Sequence, residues 1–216
     1  MVSKKDIVSI RKHKRYDLRL FKKYAPFYDY VEFIIGPLRD KVADKISRKN
    51  LKILDVACGT GSQTIALAKK GHTVVGIDIS PDLLSYAKKK IKPGYNIKFI
   101  CGDATKIPYN DSTFDVSSIS FGFHDMPEEI GVMIMKEMVR TTKKNGKIII
   151  TDYHKPKNRF VALLSNKICK TWESKYYDGF MQIGVEHYLN KANQKLEFKE
   201  LYLLGIIQIV GCVNRK

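Results

Sequence analysis

Apolar positions along the chain fall into two alternating rhythms. Short, nearly continuous apolar runs occupy Leu51–Val56, Thr73–Asp78, Asn96–Cys101, Phe114–Ser120 and Lys147–Asp152. Runs of that length without a polar alternation predict strands buried on both faces. Between them the spacing becomes helical. Ser62–Lys70 predicts a helix stopped by Gly71, and Ser80-Pro81-Asp82 supplies an N-cap, an N1 proline and a first-turn acid for a helix over Pro81–Lys90. A further helix opens at Pro127, where Ile130, Met133, Ile134 and Met138 recur on one face as core positions. Asn145-Gly146 reads as a helix-to-strand turn into the fifth strand, and helical segments follow Lys155-Pro156 to about Ala192. Leu196–Tyr202 and Ile206–Val213, joined tightly around Gly205, end the chain as two strands. Repeated strand-helix units of this kind predict an α/β domain with a doubly wound sheet, mainly parallel, with an antiparallel C-terminal strand.

Residues ahead of the first strand follow neither rhythm. Positions 1–23 carry nine Lys or Arg against Asp6 and Asp17, and read as a basic arm. Residues 24–216 form the domain, of which about 24–48 is an N-terminal helical lid. Tyr24–Ile46 predicts one or two short helices interrupted at Gly36-Pro37. Its aromatics, Tyr24, Phe27, Tyr28, Tyr30 and Phe33, suit either core packing or a cover over a ligand mouth.

Composition narrows the function classes. A chain of 216 residues with 44% apolar content sustains one core. No apolar stretch approaches membrane-spanning length and the N-terminus has no apolar signal core, which points to a cytoplasmic protein. Cys58, Cys101, Cys169 and Cys212 show no paired spacing, so free thiols are expected, with no disulfide framework and no metal site. The formal charge of +17 suits a polyanionic partner, either nucleic acid or an anionic membrane surface. Much of the excess outside the arm sits on helix faces such as Lys88, Lys89 and Lys90, where a solvated lysine face explains it.

Candidate chemistry concentrates at the strand ends. The first strand breaks into Ala57, Gly59 and Gly61, small residues that let the backbone approach a ligand while the next helix aims its free N–H groups at the same point. Asp55, Asp78 and Asp103 stand at or just past the ends of strands one, two and three. In an open parallel sheet those ends face one crevice. Asp78 suits two ribose hydroxyls, and Asp103 an exocyclic adenine amine. The turn reads D-x-A-x-G-x-G, with an acid where a pyrophosphate-binding G-x-G-x-x-G turn has none. The ligand expected is an adenosine with a cationic group and no phosphate. His124, just past the fourth strand, carries the one side chain there that titrates in a range useful to a general base.

The motifs DVACGTG (Asp55–Gly61), GIDIS (Gly76–Ser80), GDA (Gly102–Ala104), FDVSSISFGF (Phe114–Phe123), YAPFYD (Tyr24–Asp29), DYHKP (Asp152–Pro156) and the terminal LLGIIQIVGCVNRK resemble the class I S-adenosylmethionine-dependent methyltransferases, nearest to the ubiquinone/menaquinone C-methyltransferase family. The resemblance implies a Rossmann-like fold and S-adenosyl-L-methionine as cofactor. Its contacts are implied at Asp55, Ala57, Gly59, Thr60, Gly61, Asp78, Ile79, Asp103, Ala104 and Ser120, with His124 and Tyr28 as catalytic candidates. The acceptor implied is a small apolar, quinone-like or lipid-like molecule, with possible peripheral contact with an anionic membrane. Where that family usually has Arg-Asn, this chain has His124-Asp125. The N-P-P-Y motif of amine methylases and the Pro-Cys nucleophile of cytosine methylases are both missing after the fourth strand. Two other readings stay open: an RNA-modifying enzyme using the basic arm, and a nonenzymatic cofactor-binding protein.

Overall fold

The computed structural model describes residues 35–216 except Trp172. The basic arm over 1–23 and the lid ahead of residue 35, Tyr28 included, lie outside the described residues.

A helix over residues 35–44 (α1) precedes the sheet. Gly36 and Pro37 lie in the first described turn of this helix, and the segment ahead of them, where the interruption was expected to separate a second helix, lies outside the described residues. Leu38, Val42 and Ala43 are buried, and the last two anchor the helix to the sheet. The core then alternates β1 (Lys52–Val56), α2 (Ser62–Lys69), β2 (Thr73–Asp78), α3 (Pro81–Lys89), β3 (Ile97–Cys101), β4 (Phe114–Ser120), α4 (Glu128–Thr141) and β5 (Thr142–Tyr153). Two helices, α5 (Arg159–Cys169) and α6 (Tyr177–Lys191), lead to β6 (Phe198–Tyr202) and β7 (Ile207–Val213).

The described strands form one sheet in the order β3-β2-β1-β4-β5-β7-β6. All neighbouring pairs from β3 to β5 are parallel, and β7 runs antiparallel to both β5 and β6. The doubly wound α/β fold with one reversed strand is therefore present. Both faces are covered, which accounts for the continuous apolar runs. Ile53, Val74, Val116 and Ile149 pack toward α1 and α2, while Leu54, Val56, Ile77 and Ile119 pack into the larger core with α4 and α6.

Strand β5 begins earlier than its apolar run. Thr142 already pairs with Phe114, and a register shift lets the chain bulge through Asn145 (φ 62°) before regular pairing resumes at Lys147. Asn214 holds this bulge by donating its side-chain amide to the carbonyls of Val139, Thr142 and Lys143. The Asn-Gly pair thus lies inside the strand rather than ahead of it. The four cysteines are free thiols, as expected.

Candidate active site

The winding reverses between β1 and β4, and the crevice at the carboxyl ends of these strands holds most of the residues singled out in the sequence. Ala57 (φ 50°), Gly59 (φ 52°) and Gly61 (φ 78°) take left-handed backbone in quick succession after β1. A Cβ at Gly59 meets open space, whereas one at Gly61 would lie 2.8 Å from Phe99 Cζ and 2.9 Å from Ala87 Cβ. Gly61 is therefore dictated by packing, and Gly59 leaves room for a ligand.

The acids brace this turn. Asp78 accepts hydrogen bonds from the Gly59 N–H at 2.7 Å and the Ser80 N–H at 2.9 Å, one on each carboxylate oxygen. Ile79 follows directly, its carbonyl facing Cys101 Sγ at 3.8 Å. Asp103 caps the short turn that Ala104 opens, accepting from the Thr105 N–H at 2.9 Å and hydroxyl at 2.7 Å. Asp55 behaves differently from the expectation that all three acids line the pocket. It is 1% exposed and accepts from Thr64 Oγ1 at 2.6 Å and Ser118 Oγ at 2.8 Å. Burial pushes its pKa up against those two hydrogen bonds. Its role in this geometry is to tie β1, β4 and α2 together under the turn. Ser120 donates to Gln63 Oε1 at 3.4 Å, and Gln63 donates in turn to the Arg39 carbonyl at 3.2 Å, which joins α1 to the mouth of the crevice.

His124 stands at the centre of a second cluster. Its loop abuts the cradle, since a Cβ at Gly122 would touch Ala57 Cβ at 3.4 Å. The imidazole is 3% exposed, with Nδ1 2.6 Å from Asp152 Oδ1 and Nε2 3.1 Å from Glu173 Oε2 and 3.5 Å from Asp125 Oδ2. Asp152 is held in place by accepting from the backbone N–H groups of Phe123 at 3.0 Å and Tyr153 at 2.8 Å. Glu173 accepts from the Tyr153 hydroxyl at 2.5 Å. Burial penalises the imidazolium, yet the carboxylates of Asp125, Asp152 and Glu173 outweigh it and hold the His124 pKa well above the ordinary imidazole value. Tyr153, Phe121, Phe180 and Tyr177 present ring edges or faces around it, at centroid distances of 4.8, 6.3, 6.2 and 6.5 Å. Phe121 has φ 55°, an unusual conformation for an aromatic residue, and Arg39 sits 5.3 Å over its ring. The donor atoms of His124, Asp125 and Glu173 lie within 4.8 Å of one another, close enough to span a small divalent ion.

A strand-end cradle braced by Asp78 and Asp103, with open space above Gly59, fits an adenosine ligand. Residues 53–146 match the family model described as a methyltransferase domain. Over those residues the chain is similar to methyltransferase domains. It is 37% identical to a demethylmenaquinone methyltransferase from Staphylococcus aureus over 147 residues, covering 64% of this chain and 60% of that relative. The chain thus spans somewhat under two thirds of the curated relatives it matches. Among solved structures, the fold is similar to a SAM-dependent methyltransferase from Aquifex aeolicus (TM-score 0.63, 21% identity, 81% of this chain and 88% of that one). It is also similar to the magnesium protoporphyrin IX methyltransferase of Synechocystis, crystallised with bound SAH (TM-score 0.66, 18% identity, 84% and 83%).

Several residues of this domain's crevice carry no simple sequence signal. Thr64 and Ser118 lie inside elements whose patterns read as plain helix and strand. Asp152 obeys the same acid-at-strand-end rule as Asp78 and was available to it, whereas Glu173 sits on a connection between helices where no periodicity marks it.

Proposed function

We propose that the chain transfers the methyl group of S-adenosylmethionine to a small, apolar, quinone-like or lipid-like acceptor. The observation that carries this reading is the contact between the two clusters: the Asp78/Asp103 cradle and the aromatic pocket around His124 adjoin through Gly122 and Ala57. The S. aureus relative, a demethylmenaquinone methyltransferase, supports an acceptor of the quinone class.

When bound, the cofactor supplies an electrophilic methyl on sulfonium sulfur. Asp78 would take the ribose hydroxyls, and Thr60 and Ile79 would line the cradle beside Ala57, Gly59 and Gly61. Asp103 and Ala104 would flank the adenine, and Ser120 would border the methionine portion. Phe121, Tyr153 and Tyr177 would hold a flat apolar acceptor in line with the methyl, where positioning supplies most of the rate. His124, oriented by Asp152, accepts the proton that the acceptor loses. The surrounding carboxylates favour the protonated form of His124. The neutral, accepting form grows as pH rises, so the acid limb of the turnover profile lies higher than an unperturbed imidazole would place it. Tyr28, outside the described residues, is proposed to orient the acceptor from the lid.

Calorimetry with S-adenosylmethionine, S-adenosylhomocysteine and NAD tests the cofactor half of this reading. The first two bind and NAD does not; preferential binding of NAD would end it. A scan of His124→Gln turnover across pH tests the other half, since turnover within twofold of wild type throughout pH 6 to 10 would remove His124 from the chemistry.

A further inference from the structure

Helix α5 presents its apolar residues outward. Phe160 (74% exposed), Leu163 (71%), Leu164 and Ile168 share the solvent-facing side, while Val161, Ala162, Ser165, Asn166 and the buried Cys169 face the body of the protein. An ordinary surface helix does the reverse. The charge of the segment is equally one-sided. Between Asp152 and Glu173 there are five basic residues, Lys155, Lys157, Arg159, Lys167 and Lys170, and no acid.

The position of this face matters as much as its character. At the start of α5, Pro156 packs against Gly205, whose carbonyl meets His154 Nδ1 at 2.8 Å. This places the β6–β7 turn beside the helix, and that turn carries Leu204, 81% exposed and in left-handed backbone (φ 57°). At the other end of α5, the buried Cys169 lies beside Tyr177, one of the rings around His124. The outward apolar face therefore lies at the carboxyl edge of the parallel strands, the edge on which the crevice opens.

We propose that α5 and the Leu203–Leu204 turn dock the protein on an anionic bilayer surface, with Phe160, Leu163, Leu164 and Leu204 entering the headgroup boundary and Lys155, Lys157, Arg159, Lys167 and Lys170 meeting lipid phosphates. An apolar face flanked by Lys and Arg is the arrangement by which an interfacial helix lies in a membrane plane, and neither part alone gives stable binding. Docked this way, the crevice would face the phase that dissolves a lipid-like acceptor. This last consequence rests on the proposed acceptor class; the docking itself does not.

The test is co-sedimentation of the full chain with vesicles of phosphatidylglycerol and phosphatidylcholine, compared with vesicles of phosphatidylcholine alone. Wild type binds the anionic vesicles and is released by salt. The variant Phe160→Ser/Leu163→Ser/Leu164→Ser, with unchanged circular dichroism and unchanged S-adenosylhomocysteine affinity, binds at least about tenfold more weakly although the basic arm is intact. Lys155→Gln/Lys157→Gln/Arg159→Gln weakens binding and flattens its salt dependence. Vesicle binding of the apolar variant equal to wild type would overturn the proposal. So would conversion of a wild-type dimer to a monomer by that variant without loss of vesicle binding, which would make the face a self-association surface. Since affinity for S-adenosylhomocysteine is measured separately, failure of docking and failure of the methyltransferase reading give different results.

Discussion

At His124, one imidazole and three carboxylates share a volume nearly closed to water. The imidazolium compensates Asp125, Asp152 and Glu173, and truncating one member of such a group leaves buried charge unmatched. His124→Ala is accordingly expected to lose roughly 3–5 kcal/mol of stability in urea denaturation. The pH dependence has a definite sign. A histidine whose folded pKa lies above its unfolded value contributes stability that is fully present below about pH 6.5 and is lost as pH rises through the folded pKa. Wild type should therefore lose more stability than His124→Gln between pH 6.5 and the alkaline range, a comparison made by thermal melts. Asp152→Asn removes one of the charges raising that pKa, so it should move the acid limb of the turnover profile to lower pH. At Asp78 the expectation concerns affinity. Asp78→Ala should weaken S-adenosylhomocysteine binding by roughly 1–3 kcal/mol in calorimetry, as loss of a buried acceptor does.

The turn between β1 and α2 makes a sharper test at the level of the element. Gly61→Ala must place a methyl group against Phe99 and Ala87 with φ at 78°, so it should cost roughly 1–3 kcal/mol of stability. Gly59→Ala meets no atom of the protein and should cost only about 1–2 kcal/mol from backbone strain, while lowering cofactor affinity by at least about tenfold. Denaturation paired with calorimetry on both variants separates the two effects. This turn was legible in the sequence because a buried strand that breaks into alternate small residues has lost its sheet-facing side chains and gained backbone freedom, as a tight turn requires. The strands were legible through their continuous apolar runs, being buried on both faces. The bulged start of β5 was not, because Asn145-Gly146 gives the same signal at the end of a helix as inside a bulge, and it is Asn214, far along the chain, that decides.

At the scale of the molecule, the crevice draws on α1, the β1 and β2 turns, the loop after β4, the end of β5 and the α5–α6 connection. Glu173 enters it only through folding, which is why the strand-end acids and the small-residue turn could be read from the sequence while Glu173 could not. A ligand that contacts so many segments stabilises the whole: S-adenosylhomocysteine at one hundred times its dissociation constant should add about 2.7 kcal/mol, seen as a rise in melting temperature that NAD does not produce. The charge of +17 leaves RNA as the competing acceptor. The most direct measurement supplies S-adenosylmethionine labelled in its methyl group together with a prenylated naphthoquinol in anionic vesicles and total RNA in the same reaction. Label recovered in the organic phase, and lost with His124→Gln and Asp78→Ala, is the expected result. Label recovered in the RNA, or no transfer by protein that binds the cofactor, would contradict a quinone-like acceptor.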